Sequence, residues 1–286
     1  YELRAPSRGN TYTINLANRT SGGSILTDAD NIWGNNSTSS NQSAAADAQY
    51  GTAVTWDYYK NVHGRLGIAN DGRGAYNRVH YSRNYNNAYW SDACFCMTYG
   101  DGDGTTLRPL VALDVAGHEM THGVTSRTAN LTYSGESGGL NEATSDIFGT
   151  MVEFYAANSS DAGDYLIGEK IMVGGGALRY MYKPSLDGSS SDCWYSGVGN
   201  LDVHFSSGVA NHFFFLLAEG TNSPYGTSPT CVAGNTRVAT GSGTLRGIGR
   251  EAAAKIWYRA LTTKMTSSTN YAGARAATIA TAQELA

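Results

Sequence analysis

The 286-residue chain has little charge: 15% of its residues are Asp, Glu, Lys or Arg, the net charge is −4, and no Lys/Arg cluster occurs. Nucleic acid and anionic membrane surfaces are bound through concentrated positive charge, so neither is expected as a partner. No apolar run approaches the ~20 residues that span a bilayer, which argues against a transmembrane helix. The opening stretch, YELRAPSRGN, lacks the basic region and apolar core of an export signal. Internal repeats and low-complexity linkers are also missing, and the four cysteines have none of the spacings of a structural zinc site.

What is present is 41% apolar residues, enough for one large core or two smaller ones. Many Asn, Ser, Thr, Gly and Tyr beside few Lys fit an extracellular chain. The cysteines are then expected as disulfides. In a strand, Cys94 and Cys96 would lie on one face ~6.6–6.8 Å apart, so closing them would involve strain. Cys193 with Cys231 is the favoured pair, with Cys94–Cys96 as its complement.

The first 40 residues alternate with period two, as at Tyr12, Ile14 and Leu16, between turn-forming S-G-G and N-N-S-T-S-S. Residues 43–63 switch to helical spacing, with Gly64 as the stop. Residues 65–110 return to short Tyr-rich strands broken by N-D-G-R-G, Y-N-N and G-D-G-D-G. The last of these lacks the length and terminal Glu of an EF-hand and reads as a turn. From there helical periodicity dominates, over 111–126, 139–157, 206–219, 248–265 and 268–285.

The densest chemistry lies in DVAGHEMTHGVTSRTANLTYSGESGGLNEATSD, from Asp114 to Asp146. His118, Glu119 and His122 spell H-E-x-x-H; on a helix the two imidazoles share one face, and Glu119 projects beside them. Two neutral imidazole nitrogens at ~2.0–2.1 Å supply half of a tetrahedral zinc site. Glu142, further on in G-L-N-E-A-T-S-D, completes a His2Glu set and leaves one position for water. Glu119, next to a ligand without being one, is placed to act as general base and then proton donor.

On these residues the chain resembles the thermolysin-type neutral metalloendopeptidases. Further matches are V-T-W-D-Y-Y-K-N-V-H-G-R-L (54–66), N-N-A-Y-W (86–90), G-D-G-D-G (100–104), E-F-Y-A (153–156), A-L-R (177–179), L-D-V-H-F-S-S-G-V (201–209) and G-I-G-R-E-A-A-A-K-I-W-Y-R-A-L (247–261). The resemblance covers almost the whole chain. It implies an α+β fold with a β-rich amino lobe, 1–132, that includes the HEMTH helix, and a mainly helical carboxy lobe, 133–286. The zinc helix is expected at the base of the cleft between them. The family usually continues into another helix past Ala286.

By the same resemblance Asp146 supports His118 and Asn141 supports His122, although either would also serve as a helix cap. His204 and Tyr133 are expected to stabilise the developing oxyanion, with Asp202 orienting His204. Asn87 and the Ala88 backbone would pair with an extended peptide, and Arg179 would hold a substrate carbonyl. Leu110, Val115, Ile167 and Leu178 match an apolar pocket on the leaving-group side, which implies cleavage on the amino side of large apolar residues.

The resemblance further implies a structural calcium site built from Asp114, Glu153, Asp164 and Glu169. Where a second bridging Glu would sit, this chain has Leu166, which offers only its backbone carbonyl. At least one calcium ion is therefore expected, and one rather than two in this cluster, because two close divalent ions need that extra charge. The expectation is a secreted, monomeric zinc endopeptidase, with one catalytic zinc and an amino-terminal propeptide removed from the mature form. The competing readings are a catalytically silent, calcium-stabilised binding module of the same fold and a zinc hydrolase of a non-peptide amide.

Overall fold

The computed structural model describes all 286 residues. In chain order the elements are β1 (Arg4–Ala5), β2 (Thr11–Asn15), β3 (Ser24–Ile25), α1 (Asn41–His63), β4 (Tyr76–Val79), β5 (Ala88–Ser91), β6 (Cys96–Tyr99), α2 (Leu113–Ser126) and α3 (Gly135–Ala156). They continue with β7 (Leu166–Ile167), β8 (Arg179–Tyr180), α4 (Val203–Ser206), α5 (Gly208–Glu219), β9 (Asn222–Ser223), β10 (Gly226–Thr227), α6 (Arg250–Thr263) and α7 (Tyr271–Leu285). No helix is long and apolar enough to cross a membrane. The chain forms two compact units, one of residues 1–124, 152–163 and 168–176, the other of 125–151, 164–167 and 177–286.

The first unit is built on a mixed sheet in the order β1-β2-β4-β6-β5, with β3 also paired to β2. The β2–β4 and β4–β6 pairs are parallel, while β5 closes the far edge antiparallel to β6. Helix α1 packs on β2 and β4. It begins where the Ser40 hydroxyl accepts from the Gln42 N–H at 3.2 Å, and it stops at Gly64, whose left-handed φ of 67° an L side chain rarely adopts.

Of the alternating residues Tyr12, Ile14 and Leu16, only Leu16 is fully buried, and within β2 itself the threonines face inward. Thr11 and Thr13 are fully buried, while Tyr12 and Ile14 are half-buried. The reason is a polar layer beneath α1. Thr13 Oγ1 donates to Gln49 Oε1 at 2.8 Å, Gln49 Nε2 donates to Thr11 Oγ1 at 3.0 Å, and Asn77 Nδ2 donates to Thr13 Oγ1 at 3.0 Å. Each of these buried polar groups finds a partner, so threonine is tolerated on the inward face.

Two glycines let α2 approach its neighbours closely. A methyl group at Gly51 of α1 would lie 2.5 Å from the Ala116 Cβ, and one at Gly123 would lie 2.9 Å from the Trp90 ring. The helix that carries the H-E-x-x-H motif is thus seated against α1 on one side and β5 on another.

Cys94 and Cys96 form a disulfide, as do Cys193 and Cys231. The separation that a strand would impose on the first pair does not arise. Cys94 lies in the turn before β6, and Phe95 takes a left-handed φ of 54°, which brings the two Cα atoms to 5.3 Å.

The second unit is mainly helical. Phe214 and Phe215 of α5, Trp257 and Leu261 of α6 and Leu140 of α3 are fully or almost fully buried. The Trp257 indole N–H, which would be costly to bury alone, donates to Thr144 Oγ1 at 3.1 Å. His212 of α5 is held by the Asp192 carbonyl at 2.9 Å and the Ser228 hydroxyl at 2.7 Å, beside the Cys193–Cys231 bridge. Taken together, the fold is α+β: a mixed sheet with its helices, then a helical carboxy-terminal part.

Candidate active site

His118 and His122 lie one turn apart on α2, and their Nε2 atoms approach to 3.0 Å with the rings nearly perpendicular, at 82°. The spacing dictates this, because side chains four residues apart share a helix face. Glu119, buried beside them, faces Tyr99. Burial first and the Glu119 charge second push the Tyr99 phenol well above its ordinary pKa.

Glu142 and Asp146, both at 0% exposure, follow the same one-turn spacing on α3. The Tyr133 hydroxyl donates to Glu142 Oε1 and lies 3.4 Å from His204 Nε2, which is itself 3.5 Å from Glu142 Oε1. His204 Nδ1 meets Asp202 Oδ1 at 2.7 Å, and the His204 backbone N–H donates to the same oxygen at 3.0 Å. Those two bonds, the backbone one first, hold Asp202 below the usual carboxylate range. The other ring nitrogen, Nε2, faces Tyr133 and Glu142.

Asp146 accepts a two-point fork from Arg179, Nε to Oδ2 at 2.7 Å and Nη2 to Oδ1 at 2.6 Å. Asn211 Nδ2 adds a third bond to Oδ2 at 2.8 Å. The Asn141 amide donates to the Leu131 carbonyl at 2.9 Å. Because α3 begins at Gly135, Asn141 and Asp146 stand inside the helix, and the capping alternative falls away.

His118, His122 and Glu142 form one group that could hold a metal ion. Two imidazoles and one carboxylate are a borderline donor set that fits zinc. A second group, Asp114, Glu153 and Glu169, has ligand oxygens within 4.8 Å of one another. Asp114 and Glu153 are fully buried or nearly so, and burial pushes Asp114 up to about 6 despite the N–H groups of Gly168 and Val115 that bond it. All-oxygen, acidic chemistry of this kind fits calcium. Asp164 turns Oδ1 to the Leu166 N–H at 2.7 Å, at the start of β7.

Asn87 and Ala88 sit at the start of β5, the edge strand, where the Asn87 carbonyl accepts from the Gly100 N–H at 3.0 Å. Leu110, Val115 and Ile167 are buried, Leu178 half-buried, and the Leu178 N–H donates to the Ile167 carbonyl at 2.8 Å. Two residues escaped sequence reasoning. Asp161 is close enough for its charge to raise Asp114, and its own ion pair is with Lys170 at 3.5 Å. Nothing in S-S-D-A-G marks that placement. Asn211 has a weak signal, as a lone amide in the apolar run V-A-N-H-F-F-F-L-L.

A family model described as the thermolysin metallopeptidase catalytic domain matches residues 1–126, and one described as the thermolysin metallopeptidase alpha-helical domain matches 129–286. The chain belongs to the thermolysin metallopeptidase family. It is 57% identical over 290 residues to the transglutaminase-activating metalloprotease of Streptomyces mobaraensis, covering 100% of this chain and 37% of that protein. To thermolysin of Alicyclobacillus acidocaldarius subsp. acidocaldarius it is 41% identical over 294 residues, covering 100% of this chain and 49% of that protein. It therefore spans half or less of the length of these relatives. The precursor of protealysin, a metalloproteinase from Serratia proteamaculans, has a similar structure, with a TM-score of 0.72 and 26% identity over 96% of this chain and 82% of that one.

Proposed function

We propose that the chain is a secreted zinc endopeptidase that cleaves internal peptide bonds on the amino side of large apolar residues. The observation that carries this reading is the pair of His118 and His122 nitrogens, 3.0 Å apart beside the buried Glu119, in a chain of the thermolysin metallopeptidase family. His118, His122 and Glu142 would hold one zinc ion. When bound, the ion supplies Lewis acidity that makes water a nucleophile near neutral pH.

Glu119 takes the proton from the attacking water and delivers it to the leaving amine nitrogen. His204 Nε2–H and the Tyr133 hydroxyl donate to the oxygen that gains negative charge, with Asp202 holding the imidazole in place. The edge strand at Asn87 and Ala88 pairs with the extended peptide, while Arg179 donates to a substrate carbonyl. Leu110, Val115, Ile167 and Leu178 meet the apolar residue on the leaving-group side. Asp146 supports His118 and Asn141 supports His122. In the same reading residues 1–132 are the β-rich amino lobe that includes the HEMTH helix, and 133–286 are the mainly α-helical carboxy lobe.

Asp114, Glu153 and Glu169, with Asp164 and the Leu166 carbonyl, are proposed to bind one calcium ion. Removal of a propeptide and a monomeric mature enzyme are part of the same reading; the precursor form of the protealysin structure supports the propeptide. The test is a cleavage-site profile on a mixed peptide library, run together with metal analysis. One zinc per chain with cuts before Leu or Phe is expected; cleavage that persists after verified zinc removal would defeat the assignment.

A further inference from the structure

We propose that Asn211 is a positioning residue for the guanidinium of Arg179, acting through Asp146; the functional half of this proposal rests on the substrate-binding role given to Arg179 above. Asn211 lies in α5 among buried Ala210, Phe214 and Phe215, and is itself only 1% exposed. Its Nδ2 donates to Asp146 Oδ2 at 2.8 Å, while its Oδ1 accepts no hydrogen bond from the protein. A buried amide with one end unsatisfied is less favourable than a leucine. The reason for an amide here must therefore lie in the end that donates.

That end completes the coordination of one carboxylate. Arg179 reaches both Asp146 oxygens through Nε and Nη2, at 2.7 and 2.6 Å, so the carboxylate and guanidinium planes turn together. The terminal torsion of an aspartate is broad, so each donor held in place narrows the arc over which the carboxylate and its guanidinium can turn. A third donor, fixed on a helix, pins the carboxylate plane and with it the guanidinium. Because the fork uses the Nε and Nη2 edge, Nη1 is turned away from Asp146. A neutral amide achieves this without adding a charge that would compete with Arg179 for Asp146.

Asn211→Leu removes the donor while keeping the branched shape, and Asn211→Ser keeps a hydroxyl donor should the larger leucine fold poorly. Two readouts separate the physical claim from the functional one. Exchange of the Arg179 Nε–H with solvent, followed by NMR, needs no turnover; about tenfold faster exchange is expected in Asn211→Leu, with partial recovery in Asn211→Ser. In peptide cleavage, Asn211→Leu should raise KM about tenfold with kcat within about threefold, and should have no further effect in an Arg179→Met background. Unchanged Nε–H exchange in Asn211→Leu overturns the proposal. So does a KM effect of equal size with and without Arg179. If the parent chain binds zinc yet cleaves no peptide, the endopeptidase reading fails, and the exchange measurement still decides whether Asn211 positions Arg179.

Discussion

Asp146 and Asp114 are both aspartates buried to 1% exposure or less, yet their surroundings are opposite in kind. Asp146 accepts from a guanidinium at two points and from an amide at a third. Asp114 accepts two backbone N–H groups and otherwise shares its space with Glu153 and Glu169, with Asp161 near enough to oppose its ionisation. One carboxylate is compensated by the protein's own donors. The other belongs to a set of like charges that a bound cation would neutralise. Burial of an acid therefore says little about its role until its partners are counted.

The comparison breaks most readily at Asp146. Asp146→Asn leaves the Arg179 charge, with a side chain 13% exposed, lacking its counter-ion, and should cost ~3–5 kcal/mol in urea unfolding. Asp114→Asn, measured without divalent ions, should be neutral or stabilising because it removes a like charge. Equal losses from both would mean that the two sites do not differ as described.

The second test is the pH dependence of the calcium effect. Burial raises Asp114 from 3.8 to about 6, so in protein free of divalent ions the folded state holds this proton more tightly than the unfolded state. The associated stability is fully present below the unfolded value and is lost as pH rises through about 6, a loss of about 3 kcal/mol. A bound cation favours the ionised form and cancels the loss. Adding a calcium-selective chelator should therefore lower Tm more at pH 7 than at pH 5. A shift of the same size at both would contradict the account.

The smallest effect is expected at Lys170, whose side chain is 49% exposed and pairs with Asp161 at 3.5 Å. Lys170→Met should change stability by less than about 1 kcal/mol, since exposed pairs are screened. If thermal unfolding shows a drop larger than that caused by calcium removal, Lys170 rather than an ion neutralises the acid cluster.

Much of this was legible before any coordinates. Helix α1 and its stop at Gly64 follow from apolar spacing and one residue able to take φ of 67°. The H-E-x-x-H spacing dictates that two histidines converge, and the family's motifs span the chain. What stayed hidden depends on contacts between segments far apart in sequence. The inward face of β2 is set by Gln49 and Asn77, which a strand pattern does not contain. Phe95 at φ 54° is a backbone choice no propensity favours, made where the Cys94–Cys96 bridge closes. Asp161 and Asn211 acquire meaning only through Asp114 and Asp146, on other elements.

The central claim, that Glu119 moves the proton in a zinc-dependent peptide cleavage, is tested most directly by Glu119→Ala assayed for both metal and turnover. The account predicts one zinc per chain retained, an unchanged unfolding curve and peptide cleavage reduced by about 10³-fold or more. Cleavage at near the parent rate by the zinc-loaded variant would contradict it.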